Sequence, residues 1–179
     1  MAADEIEIVR QLASGEGPVD VARLIKALGV DYSEQPMAPG VSGKIQRIGD
    51  RYRIVVNSKE GPQRRRFTAA HELGHYLLHR DLVGERGHLD RLFSSGSSGV
   101  GDIINPLHEV QANRFAAELL MPSGAVRARA KTADNPVDLA RHFGVSPAAM
   151  TVRMESLGLR PPARLSEAPP PELIGSNSE

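Results

Sequence analysis

The chain has 179 residues, 40% of them hydrophobic and 25% charged, which is enough for one folded domain with a real core. Its 22 basic and 22 acidic residues cancel, which excludes a global field that would recruit nucleic acid or an anionic membrane. There is no cysteine, so disulfides, thiolate nucleophiles and cysteine-bound zinc are excluded as well.

The opening "MAADEIEIVRQL" is acidic and amphipathic and lacks the apolar stretch of a signal peptide. No apolar run approaches the roughly 18 residues that span a bilayer. The expectation is a soluble cytoplasmic protein without a membrane partner. In "PVDVARLIKALG", residues 18–29, Val21, Leu24, Ile25 and Leu28 fall on one helical face, with Pro18 near the start and Gly29 at the stop. "DYSEQPMAPGVSG" is rich in turn formers. The runs Lys44–Ile48 and Tyr52–Asn57 carry β-branched residues around Gly49-Asp50 and predict a hairpin.

The basic run Arg64–Arg66 reads as a solvated approach to the next helix. Thr68 is suited to cap that helix, which continues to about Arg80. Residues 81–104 include "SSGSSGVGD", a flexible tract able to move as a lid. Asn105-Pro106 marks an N-cap and first helical position, and the helix they open ends before Pro122. A helical pair over about 136–143 and 147–157, turning at Gly144, is helix-turn-helix-like. Arg153 stands almost alone as a donor on its second helix, so direct DNA binding is not expected. The proline-rich segment 161–179 reads as a disordered tail. The predicted organisation is a principal domain over 1–133, a helical C-terminal part of the same unit over 134–160, and the tail.

The chemistry gathers in "RRRFTAAHELGHYLLHR", residues 64–80, which holds three of the six histidines four residues apart. Four residues advance a helix by about 400°, so His71 and His75 lie about 6 Å apart along one face and can share an ion. Glu72 is rotated about 100° from His71 and stands beside such an ion, where it can accept a proton from a water the metal activates. A catalytic zinc takes a third protein ligand and keeps one open position.

"NPLHEVQANRFAAELLMP", residues 105–122, offers that ligand. Glu109 and Asn113 share a face of the second helix, beside Ala112, Phe115, Ala116 and Leu119, and small alanines at 112, 116 and 117 permit a close approach. Glu109 can ligate while the Asn113 amide holds a histidine ring from behind. The rivals for third ligand are Glu118, His108 and His79; Glu109 ranks first and His79 second. Tyr52, His108 and Arg114 are candidates to polarise the scissile carbonyl, with no basis for choosing among them. The strand 52–57, taken as a free edge, could align an extended substrate.

"RFTAAHELGHYLLH" followed by "EVQANRFAAELLMP" closely resembles the ImmA/IrrE-type metallopeptidases, over roughly residues 18–158. The resemblance implies an α+β, zincin-like fold with helices packed on a small twisted, mostly antiparallel sheet. It also implies His71, His75 and Glu109 as zinc ligands and Glu72 as the base. Associates of that family are helix-turn-helix repressors of the XRE type, cleaved to release transcription, and some members act in mobile-element control, stress response or toxin–antitoxin pairs. The expectation is a zinc-dependent endopeptidase acting on a repressor or antitoxin, with manganese able to occupy the same site. The alternative is a non-proteolytic, zinc-containing toxin neutralised by binding its partner. The sequence sets no oligomeric state.

Overall fold

The computed structural model describes residues 3–14, 17–83, 88–91, 105–133 and 135–159. Most of the serine- and glycine-rich tract and all of segment 161–179 lie outside them, and so do the expectations of a lid and a disordered tail.

Helices α1 (Ala3–Ala13) and α2 (Val21–Ala27) come first. Asp20 caps α2 by accepting from the Arg23 amide at 3.0 Å, and Gly29, at φ 75°, follows its end. Strands β1 (Asp31–Gln35), β2 (Val41–Ile48) and β3 (Arg51–Asn57) follow. The hairpin forms around Gly49-Asp50, with Ile48 opposite Arg51 and Gly49 at φ 60°, a positive value that suits glycine in a two-residue turn. Strand β4 (His88–Arg91) pairs antiparallel with β2, past an irregularity between Val41 and Gly43. The sheet order is β1-β3-β2-β4. With several helices on a small, mostly antiparallel sheet, the fold is α+β, as the sequence implied.

Two expectations about this sheet fail. "DYSEQ" is a strand and not a turn: it runs parallel to β3, with Asp31 opposite Arg53 and Gln35 opposite Asn57. Its residues are polar because it is an edge, and its ladder is made by backbone alone. For the same reason β3 is an interior strand, its hydrogen bonds taken by β1 and β2, and it cannot align a substrate as a free edge.

Helix α3 (Pro62–His79) crosses the sheet. It begins seven residues earlier than a Thr68 cap would place it, with Gly61 at the N-cap and Pro62 in the first turn. Thr68 is instead fully buried inside the helix. The early start turns the arginine run into helix with partners, not a solvated approach. Arg64 donates to Ser42 Oγ at 3.0 Å, and Arg65 to the Glu60 carbonyl at 2.9 Å and, as an ion pair, to Glu34 at 3.2 Å. Arg66 donates Nε to the Val19 carbonyl at 3.1 Å and Nη1 to the Phe143 and Gly144 carbonyls at 2.7 and 2.8 Å.

Helix α4 (Pro106–Leu120) lies along α3. Asn105 caps it, accepting from the Leu107 and His108 amides, while His108 Nδ1 accepts the Asn105 amide in return. Then come α5 (Ser123–Arg129), which sequence periodicity did not indicate, α6 (Pro136–Phe143) and α7 (Pro147–Ser156). Leu24, Ile25, Ile45, Ile54, Leu73, Leu120, Met150 and Met154 join all these layers in one core.

The α6–α7 pair is fastened to α3 and α4 by two arginines, one buried and one half-buried. Arg153 is 8% exposed; its Nε donates to the Met121 carbonyl at 3.0 Å and its guanidinium pairs with Glu118. Burial alone would raise the Glu118 carboxyl, but the Ser123 amide, Arg153 and the Ser123 hydroxyl together hold it below the usual value. Arg66 is the second fastening. Gly144 sits at φ 63°, and a Cβ there would come within 2.9 Å of the Arg66 guanidinium, so both the turn and the contact need glycine. An Arg66→Leu variant deprives three carbonyls of a charged donor and is expected to lose about 2–3 kcal/mol in urea unfolding. Arg66→Lys should recover only part of this, because an ammonium does not fork across α6 and the α2 entry.

Candidate metal centre

On α3, His71 is 2% exposed and His75 and Glu72 are fully buried, so the turn that carries the motif faces the interior. Across from it, one turn into α4, stands Glu109. The two imidazole Nε2 atoms are 3.0 Å apart. Glu109 places Oε2 3.3 Å from His71 Nε2 and Oε1 3.3 Å from His75 Nε2. Among the described residues this is the one cluster of three or more such side chains whose ligand atoms converge, within 4.8 Å of one another.

The hydrogen bonds behind the rings decide what those Nε2 atoms are. His71 Nδ1 lies 3.1 Å from Asn113 Oδ1, an oxygen that can only accept, so Nδ1 carries the proton and Nε2 a lone pair. On His75, Nδ1 lies 3.2 Å from His79 Nδ1, and His79 Nε2 lies 2.7 Å from Gln111 Oε1. The His71 Nε2 lone pair and the Glu109 carboxylate, 3.3 Å apart, repel one another in water-poor surroundings unless positive charge lies between them. Nitrogen and oxygen donors in this His₂Glu set suit zinc, with a divalent cation as the natural counter-charge.

Close backbone contact makes the convergence reachable. A Cβ on Gly74 would stand 3.1 Å from Ala112 Cα and 3.2 Å from its carbonyl oxygen, so the two helices touch at backbone level there. Ala112 and Ala116 are fully buried at this contact, and Ala117 lies partly buried against the core. Gly74 escaped the sequence reading. Its signal was present: a glycine inside a helix costs about 1 kcal/mol against alanine and calls for a packing reason. On the sheet side, Gly43 of β2 leaves room for Glu72, whose Oε1 would lie 3.3 Å from a Cβ there, and for Thr68 Cγ2 at 2.4 Å. The Glu72 carboxylate is thereby seated between its own helix and β2.

The remaining candidates sit elsewhere. His79 is not placed as a ligand: its ring faces the Nδ1 side of His75, one turn past the convergence. His108 belongs to the α4 cap, its ring 4.6 Å from that of His79. Glu118 faces α7. Tyr52 donates its hydroxyl to the Arg80 carbonyl at 3.1 Å and packs edge-on against Tyr76 at 5.3 Å. Tyr76 is itself buried, its hydroxyl pushed up by burial and held between Glu5 and Arg80. Arg114 lines an open groove of about 500 Å³ with Leu78, His79, His108 and Gln111. The contacts of the three candidates for polarising a carbonyl are thus with Arg80 and Tyr76 for Tyr52, with Asn105 and His79 for His108, and with that groove for Arg114.

The chain is similar to known proteins over part of its length. The family profile of Peptidase M78, the IrrE N-terminal-like domain, matches residues 25–155. The radiation response metalloprotease IrrE of Deinococcus deserti is 39% identical over 70 residues, which is 39% of this chain and 22% of that protein. A solved structure described as a Mycobacterium tuberculosis transcriptional regulator superposes with a TM-score of 0.54 at 21% identity, covering 86% of this chain and 47% of that one. The chain thus spans less than half the length of either protein.

Proposed function

Since the chain belongs to the M78 peptidase family of IrrE N-terminal-like domains, we propose that it is a zinc-dependent endopeptidase acting on a helix-turn-helix repressor or antitoxin. The observation that carries this reading is the meeting of His71 Nε2, His75 Nε2 and the Glu109 carboxylate beside a fully buried Glu72. His71, His75 and Glu109 would hold a zinc ion, which when bound would supply a Lewis acid able to lower the pKa of a water and polarise a peptide carbonyl.

The chain's own residues do the rest. Asn113 fixes the His71 ring from behind, and Glu109 brings the negative charge that favours a divalent cation. Glu72 takes the proton from the attacking water and hands it to the leaving amine. A purely structural metal site has no use for such a base, which weighs against a toxin that acts only by binding. A regulatory substrate is supported by the resemblance to repressor-cleaving peptidases and by a structural neighbour described as a transcriptional regulator. Reading of DNA by α7 is disfavoured by Arg153, which is turned inward onto Glu118 and Met121.

The test is incubation of the zinc-reconstituted protein with a candidate helix-turn-helix repressor, followed by intact-mass analysis. Fragments are expected with zinc, none after chelation, and recovery on adding zinc back. A repressor that is bound yet intact in every arm would overturn the proposal in favour of the non-proteolytic toxin.

A further inference from the structure

Resting on that reading of the metal centre, we propose that His79 is a positioning residue, which with Gln111 sets the tautomer and orientation of the metal ligand His75. His79 is 7% exposed, a buried polar ring at the end of α3, and its two nitrogens are both engaged. The direction of the chain of bonds follows from its far end. Gln111 Oε1 accepts only, so the proton at the 2.7 Å contact sits on His79 Nε2. A neutral His79 then presents a lone pair at Nδ1 and accepts, at 3.2 Å, the Nδ1–H of His75. His75 is left with its lone pair on Nε2, the atom that faces His71 and Glu109.

This arrangement is the counterpart of the Asn113 contact on His71, with one imidazole inserted because Gln111 stands farther from the ring it serves. Helix α4 therefore provides the carboxylate at 109 and the amide that orients each imidazole, at 113 directly and at 111 through His79. Support of this kind fixes a ligand ring and raises its basicity, and its loss typically weakens metal affinity.

The experiment measures zinc affinity of the full chain by competition with a chromophoric chelator, alongside thermal unfolding of the apo forms. His79→Leu removes the acceptor and is expected to weaken zinc binding by about 10- to 100-fold. His79→Asn should restore most of it, because Asn Oδ1 falls near the place of the imidazole Nδ1 and still accepts from His75. Gln111→Leu, at an exposed position that does not carry the fold, should weaken binding in the same direction by less, because His79 is then free to take the other tautomer.

A packing role predicts the reverse pattern: equal loss in His79→Leu and His79→Asn, and none in Gln111→Leu. Either result overturns the proposal. Should His79→Leu fail to fold, an unchanged affinity in Gln111→Leu overturns it alone. Absence of zinc binding by the parent protein would instead refute the metal centre itself, so the two failures are distinguishable.

Discussion

Replacing Glu72 by glutamine is expected to lower kcat for the proposed peptide-bond cleavage by about 10²- to 10⁴-fold, the usual contribution of a positioned general acid–base. The amide has the shape of the carboxylate but cannot take a proton from water. KM and zinc content should stay near the parent values, because the ligand atoms belong to His71, His75 and Glu109 and not to residue 72. Thermal stability should hold or rise, since a carboxylate kept wholly out of water is a costly group to bury. A variant that keeps kcat within tenfold while binding zinc normally would remove Glu72 from the chemistry. A variant that loses zinc would show that the residue acts on the ligands, and the kcat comparison would then say nothing about proton transfer.

Glu72 also shows where the sequence was informative. Its neighbours His71 and His75 are legible because a fixed helical period turns spacing into direction, and Asn105-Pro106, Gly49-Asp50 and Gly144 are legible because each backbone need there selects a residue type. Glu109 was reachable by the same arithmetic, since it shares a helix face with Asn113. The unreadable parts depend on chain segments far apart in sequence. "DYSEQ" has no apolar alternation because it becomes a strand only by pairing with β3, 22 residues on in register. The three arginines looked solvated because their partners, Ser42, Glu34 and the end of α6, lie up to 78 residues away. His79 looked like the end of a polar helix until Gln111 arrived from α4.

Gly74 joins the local and the distant kinds of information, and Gly74→Ala is expected to separate them. Locally, alanine is the better helix former by about 1 kcal/mol. At the contact, the new Cβ would press on Ala112 Cα at 3.1 Å, Ala112 O at 3.2 Å and Phe115 Cδ1 at 3.2 Å. Two of these atoms are α4 backbone, so Ala112→Gly offers no relief and the helix itself must move by a few tenths of an ångström. Overpacking of this order costs about 1–3 kcal/mol, so the net loss of stability should be small. The metal centre has no such compensation. Glu109 lies one turn before Ala112 on the displaced helix, and its oxygens must stay near both Nε2 atoms, which α3 holds fixed. Zinc affinity is therefore expected to fall about tenfold or more in Gly74→Ala, comparable to the loss of an orienting partner. Gly74→Val, with two further methyl groups against the same backbone, should lose both zinc and fold. Parent-like zinc affinity in Gly74→Ala would mean that Glu109 is positioned by something other than the touching backbones of α3 and α4.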